Sequence, residues 1–116
     1  MYRRLFFALT AFFLLAATPL GAARRFTLVI DPGHGGHDAG AMGAISKEKD
    51  INLNVALAFG RYVERNCPDV RVIYTRKTDV FVPLNERAQI ANRANADLFV
   101  SVHTNALPGG QIARGF

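Results

Sequence analysis

Apolar and polar positions follow a repeating order along the chain. Phe26 to Ile30 is a short apolar run that stops at the turn sequence Asp31-Pro32-Gly33. Length, composition and terminator together predict a buried strand. Residues 32–44 then carry five glycines, Gly33, Gly35, Gly36, Gly40 and Gly43, and almost no bulky side chain. Such a loop lets the backbone turn sharply or come close to something. Helical spacing follows. Ile51, Val55, Ala58, Phe59, Tyr62 and Val63 recur on one face, with Asn52, Arg61 and Arg65 on the other. Asp50 is placed to cap this helix, and Pro68 closes it. Val70 to Tyr74 is a second strand, and residues 75–82 are a polar connection. Pro83 suits the first turn of a second helix, with a stripe of Leu84, Ala88, Ala91 and Ala94 or Asn95. Leu98 to Val102 is a third strand, ending at His103.

The order strand, helix, strand, helix, strand predicts an α/β fold. Right-handed crossovers would give three layers, a mostly parallel sheet with helices on both faces. The strands are apolar runs rather than alternating ones, as expected where both faces are covered. Three strands are few for a sheet. The fold is therefore expected to be incomplete here, and the chain to be the front portion of a longer protein.

The first 23 residues have a different character. Arg3 and Arg4 precede an apolar run from Leu5 to Ala17, and Gly21-Ala22-Ala23 supplies small residues for cleavage. This is the pattern of a signal peptide over residues 1–23, leaving a domain over residues 24–116, with an uncleaved N-terminal anchor as the alternative. The run is shorter than the about 20 residues that span a bilayer, so no stable membrane span is expected after cleavage. Export to the periplasm or cell envelope follows from the leader. Without Arg3 and Arg4, Lys+Arg falls from 14 to 12 against 9 Asp+Glu, and the net charge from +5 to +3. So mild an excess does not argue for nucleic acid. Cys67 is the only cysteine, which excludes an internal disulfide.

Candidate chemistry lies at the strand ends. Ligands of open α/β sheets bind beyond the carboxyl ends of the strands. His34 lies just past the first strand and His103 caps the third. If those strands are neighbours, both imidazoles face one crevice, an arrangement that suits zinc and similar ions. Hydrogen bonding to loop backbone is the alternative for each, and His37 is a rival ligand in the same loop. A phosphate loop is disfavoured, because Gly33-His34-Gly35-Gly36 has neither the Lys-Ser/Thr of a P-loop nor a helix directly after it. Asp31 is placed either to orient a ligand imidazole or to form an Asx turn before Pro32. Arg76 and Arg87 suit ion pairs, or else substrate carboxylates. Asn105 is placed to organise the loop after His103.

Ile30-Asp31-Pro32-Gly33-His34-Gly35-Gly36, with Asp38, Gly40, Gly43, Glu48-Lys49-Asp50 and Leu53, resembles the zinc-dependent N-acetylmuramoyl-L-alanine amidases of the amidase-3 family. So do Thr75-Arg76 with Asp79, then Leu84, Arg87, Ala91-Asn92, Ala96-Asp97-Leu98-Phe99 and Ser101-Val102-His103 with Asn105-Ala106. The resemblance implies Zn2+ held by His34, Glu48 and His103. By itself, Glu48 reads as a first-turn carboxylate favoured by the helix dipole. The implied substrate is peptidoglycan, cut between N-acetylmuramic acid and L-alanine, and a protein activator is a possible further partner. The family's general base is a glutamate late in its domain, expected beyond Phe116. None of Glu48, Glu64 or Glu86 matches its position, so no catalytic base is expected in this chain. A non-catalytic peptidoglycan-binding or regulatory module is the alternative function, and a zinc hydrolase of another amide is a third.

Overall fold

The computed structural model describes residues 23–106. The predicted signal peptide, apart from Ala23, lies outside the described residues. Five elements follow in order: β1 (Phe26–Pro32), α1 (Glu48–Asn66), β2 (Val70–Tyr74), α2 (Leu84–Arg93) and β3 (Leu98–Val102). The strands pair in the order β2-β1-β3, all parallel. The neighbouring of the first and third strands, on which a shared crevice depends, is therefore present. β1 runs two residues past its apolar core because Asp31 and Pro32 stay in register with Ser101 and Val102. Among the described residues, no helix is long and apolar enough to cross a membrane.

Alternate residues of β1 serve opposite faces of the sheet. Leu28 and Ile30 pack with Ala56 of α1, and Val63, Val70, Val72, Tyr74, Val100 and Val102 surround them. On the other face, Asp31 meets Arg87 of α2. The helices thus cover opposite faces, as right-handed crossovers in opposite directions require. Among the described strands, only β1 is buried on both sides. The side chains of β2 and β3, at the sheet edges, are half-buried or exposed.

Two expectations for the helices need correction. First, α1 begins at Glu48, with Lys47 as a cap that makes no side-chain hydrogen bond. Asp50 lies inside the first turn rather than capping it. Second, the apolar stripe predicted for α1 is not its buried face. That face is Glu48, Lys49, Asn52, Ala56 and Gly60, while Val55, Phe59 and Tyr62 are exposed. The sheet selects small residues here so that the helix can approach closely. A Cβ on Gly60 would lie 1.8 Å from the Tyr74 hydroxyl oxygen. In α2 the buried positions are Arg87 and Ala91, and Leu84 is 85% exposed.

A buried carboxylate joins these layers. Asp31 accepts hydrogen bonds from Thr75 Oγ1 at 2.6 Å, Arg87 Nη1 at 2.8 Å and Ser101 Oγ at 2.8 Å. These donors lie just after β2, on α2 and on β3. Arg87 also donates to the carbonyls of Val82, Pro32 and His34. Of the two roles expected for Asp31, neither holds: its carboxylate touches no imidazole and spends its lone pairs on this network. Burial alone would push the Asp31 carboxyl up, but the hydrogen bonds from Thr75, Arg87 and Ser101 and the guanidinium charge hold it below 3.8.

A carboxyl lowered on folding stabilises the native state above its unfolded value, and the gain is lost as pH falls through the folded value. Acid should therefore destabilise the wild-type domain below about pH 4. Asp31→Asn should cost about 3–5 kcal/mol at neutral pH, because it leaves the buried Arg87 unpaired. It should also flatten the acid limb. Urea unfolding at a series of pH values measures both.

Candidate metal centre

The loop after β1 is built around left-handed backbone. His34 has φ 60°, and Gly35, Gly36 and Gly40 have φ of 129°, 57° and 65°. A non-glycine residue at positive φ is strained and needs support. Arg87 supplies some of it by donating to the His34 carbonyl at 2.8 Å. Gly35 and Asp38 exchange backbone hydrogen bonds of 2.9 and 3.1 Å, which closes a tight turn. Gly36 is clamped from both sides. Its N–H donates to Asp79 at 2.8 Å, and its carbonyl accepts from Lys49 Nζ at 2.8 Å. Lys49 and Asp79 pair with each other at 2.6 Å.

This loop presents one imidazole, α1 presents a carboxylate and β3 presents the other imidazole. The Nε2 atom of His34 lies 3.3 Å from Glu48 Oε1, and Nδ1 of His103 lies 3.1 Å from the same oxygen. The two rings are 4.9 Å apart and nearly perpendicular, at 82°. One donor atom from each of His34, Glu48 and His103 falls within 4.8 Å of the others. Bonds of 2.0–2.1 Å to a tetrahedral zinc set neighbouring donors about 3.3 Å apart. The two contacts at Glu48 match that edge.

Protonation makes the same case. Asp38 Oδ2 lies 2.8 Å from His34 Nδ1, and its other oxygen accepts from the Gly40 N–H at 3.1 Å. The carboxylate places the proton of a neutral His34 on Nδ1 and leaves the Nε2 lone pair facing Glu48. Two acceptors at that distance are favourable only with a cation between them or a second proton on the ring. Burial pushes the Glu48 carboxyl up. The N–H groups of Ala41 and Thr104, with His103 and Asn52, outweigh it and hold the group at about 2. Glu48 is therefore an anion across the physiological range.

Two glycines keep the space open. A Cβ on Gly33 would sit 2.3–2.7 Å from atoms of the His103 ring. A Cβ on Gly40 would lie 2.7 Å from both Glu48 Oε2 and His34 Cδ2. The glycine-rich loop thus makes the close approach that its composition implied, and what it approaches is the His34–Glu48–His103 cluster.

The other predicted residues sort clearly. His37 stacks on Phe81 with ring centroids 4.1 Å apart and stands outside the cluster. Arg87 is a structural ion pair. Arg76 is buried without a carboxylate partner, donating to the carbonyls of Pro32, Gly33, Lys49 and Thr78. The role given to Asn105 falls to Thr104, whose N–H donates to Glu48 Oε1 at 3.0 Å and whose hydroxyl donates to Asn52 Oδ1 at 2.8 Å. Sequence reasoning gave no role to Asn52 or Thr104 in the site, nor to Asp38 as the partner of His34. For Asn52 a signal existed, since it lies one helical turn after Glu48. Thr104 acts partly through its backbone, which no residue type discloses.

The model of the amidase-3 family, N-acetylmuramoyl-L-alanine amidase, matches residues 28–116. The chain belongs to this family. Amidase AmiC of Escherichia coli O6:H1 is 39% identical over 92 residues, covering 78% of this chain and 22% of its own length. An endolysin of Bacillus phage SPP1 is 48% identical over 87 residues, covering 71% of this chain and 30% of its own. The crystal structure of an N-acetylmuramoyl-L-alanine amidase from Clostridium difficile 630 superposes with a TM-score of 0.74 at 38% identity, covering 80% of this chain and 50% of that one. The chain thus spans between 22% and 30% of the length of these two curated relatives. The cluster of His34, Glu48 and His103 fits the zinc site of this amidase family.

Asp38→Asn tests the orienting carboxylate. It should leave the fold intact and weaken zinc binding about 10- to 100-fold. Competition against a chromophoric chelator measures this.

Proposed function

We propose that this amidase-family chain carries the metal-binding part of a peptidoglycan hydrolase. That enzyme cleaves the amide between the lactyl group of N-acetylmuramic acid and the L-alanine of the stem peptide. The observation that carries the proposal is the convergence of His34, Glu48 and His103 within a sequence matched by the amidase model. These three residues would hold zinc and leave one tetrahedral position open. A zinc ion held there would lower the pKa of a water molecule and polarise a scissile carbonyl.

The chain's own residues have defined tasks in this reading. Asp38 fixes the tautomer of His34. The Thr104 N–H and Asn52 hold Glu48 Oε1, and the Ala41 N–H holds Oε2. This shell fixes the ligand carboxylate before any metal arrives, which lowers the ordering cost of binding. The reading assigns proton transfer to a glutamate beyond Phe116. Residues 1–23 act as the export signal and deliver residues 24–116 to the periplasm or cell envelope, where peptidoglycan lies. A protein activator is a further partner that this reading admits.

Zinc content is the direct test. Wild-type protein should carry about one zinc, and His34→Ala, Glu48→Gln and His103→Ala should fall to background. His37→Ala should stay near the wild-type level. Stoichiometric zinc in His103→Ala would refute the shared site. The chain ending at Phe116 should release no product from muropeptides, and turnover by it would sink the assignment of the base.

A further inference from the structure

Arg76 is a buried cation that supplies no atom to the cluster. It is 3% exposed, and among the described residues its guanidinium bonds only to backbone carbonyls. A charge taken out of water is ordinarily paired with an opposite one, so the acceptors that replace a carboxylate here are informative. Nε donates to the Pro32 carbonyl at 2.9 Å and Nη1 to that of Thr78 at 3.0 Å. Nη2 donates to both Gly33 and Lys49, each at 2.9 Å. Pro32 and Gly33 directly precede His34, and Lys49 directly follows Glu48.

One nitrogen thus ties together the segments that carry two of the three cluster residues. The third is joined through Gly33. The Gly33 N–H donates at 2.9 Å to the carbonyl of Val102, the residue before His103. The metal loop also rests on the arginine stem, since a Cβ on Gly35 would lie 2.9 Å from Arg76 Nε and 3.0 Å from its Cδ. Asn52 bridges the Gly33 carbonyl and Glu48 Oε1 as well, but its contacts are 3.3 and 3.4 Å. The charge-assisted bonds of Arg76 are shorter and stronger. Charge alone does not explain this placement, because a like charge near a cation site weakens binding of the ion. What a guanidinium adds is a planar fork with donors at fixed angles, which a lysine ammonium lacks.

We infer that Arg76 is a positioning residue of the metal centre, setting the spacing of the His34 and Glu48 segments through the carbonyls of Gly33 and Lys49. The inference rests on the zinc reading of the cluster. Arg76 holds no metal itself and acts through the backbone beside the residues that would.

Arg76→Lys keeps the charge and removes the fork. It should weaken zinc binding about 10- to 100-fold, read by competition against a chromophoric chelator on protein shown by circular dichroism to be folded. The visible bands of the cobalt-substituted protein should shift as the donor geometry relaxes. Leu28→Ala is the control for stability, since it opens a cavity in the core between β1 and α1. It should lower the urea midpoint and leave zinc affinity and the cobalt bands as in wild type. A second measurement needs no variant. Coupling is reciprocal, so zinc reinforces the contacts of Arg76 by the factor that they reinforce zinc. Zinc loading of the wild type should slow hydrogen exchange at Arg76 Nε about tenfold more than at the Ile30 amide, which opens with the sheet core. Arg76 is structural only if folded Arg76→Lys binds zinc as wild type does, if Leu28→Ala weakens zinc binding as much, or if zinc slows both exchange rates equally. The exchange result decides where Arg76→Lys does not fold. Zinc binding by the wild type is read separately. Its absence refutes the zinc reading, whereas normal binding with any of those three results refutes only the role of Arg76.

Discussion

The Asp31 carboxylate is the constraint on which the rest of this structure depends. It stands at the carboxyl end of the central strand, where all three strands and α2 come together. One buried anion accepts from Thr75, Ser101 and Arg87, and so fixes the ends of β2 and β3 against β1. Both metal-facing loops leave from this point. Gly33 and His34 follow β1 at once, and His103 lies two residues past Ser101. Arg87 extends the network by binding the carbonyls of Pro32 and His34. A slip in that register would move His103 away from Glu48, even though Asp31 touches neither residue. The side chain works as a joint rather than as a reagent.

The cluster itself depends on what is small. α1 approaches the sheet through Ala56 and Gly60, which brings Glu48 and Asn52 over the ends of the strands. Gly33 and Gly40 leave room for the two imidazoles. Polar donors then hold Glu48 as an anion despite its burial. The ligands are therefore positioned by residues with little or no side chain and by backbone N–H groups, an arrangement that leaves few degrees of freedom to be ordered when a cation binds.

Much of the fold was legible because the strands are short, continuous and apolar. Val70–Tyr74 and Leu98–Val102 have the boundaries that the pattern predicts, and parallel topology follows from the intervening helices. The face of α1 was not legible. Hydrophobic spacing points to Val55, Phe59 and Tyr62, yet the buried side is polar where it borders the site and small where it packs on the sheet. Periodicity assumes that burial follows apolarity, and that assumption fails where burial serves chemistry. His34 and His103 could be paired from strand ends alone. Glu48 required the family resemblance, since a carboxylate in a first turn is ordinary on a helix. Arg87 read as an ion pair, and Asp31 as either a ligand contact or a turn. Their three-way bonding through Thr75 and Ser101 joins residues far apart in sequence, which no local pattern reports.

The separation of the cluster along the chain divides it into a local pair and a distant third donor. His34 and Glu48 belong to one loop and the helix that follows it, so they meet through a local contact. His103 lies 55 residues beyond Glu48. It reaches the cluster only when β3 pairs with β1. Closing so long a loop has an entropic cost that a local contact avoids. The three-donor set therefore requires the pairing of β3 with β1, and tight zinc retention reports that pairing. A chain interrupted before Val102 would keep two of the three donors and a much weaker hold on the ion.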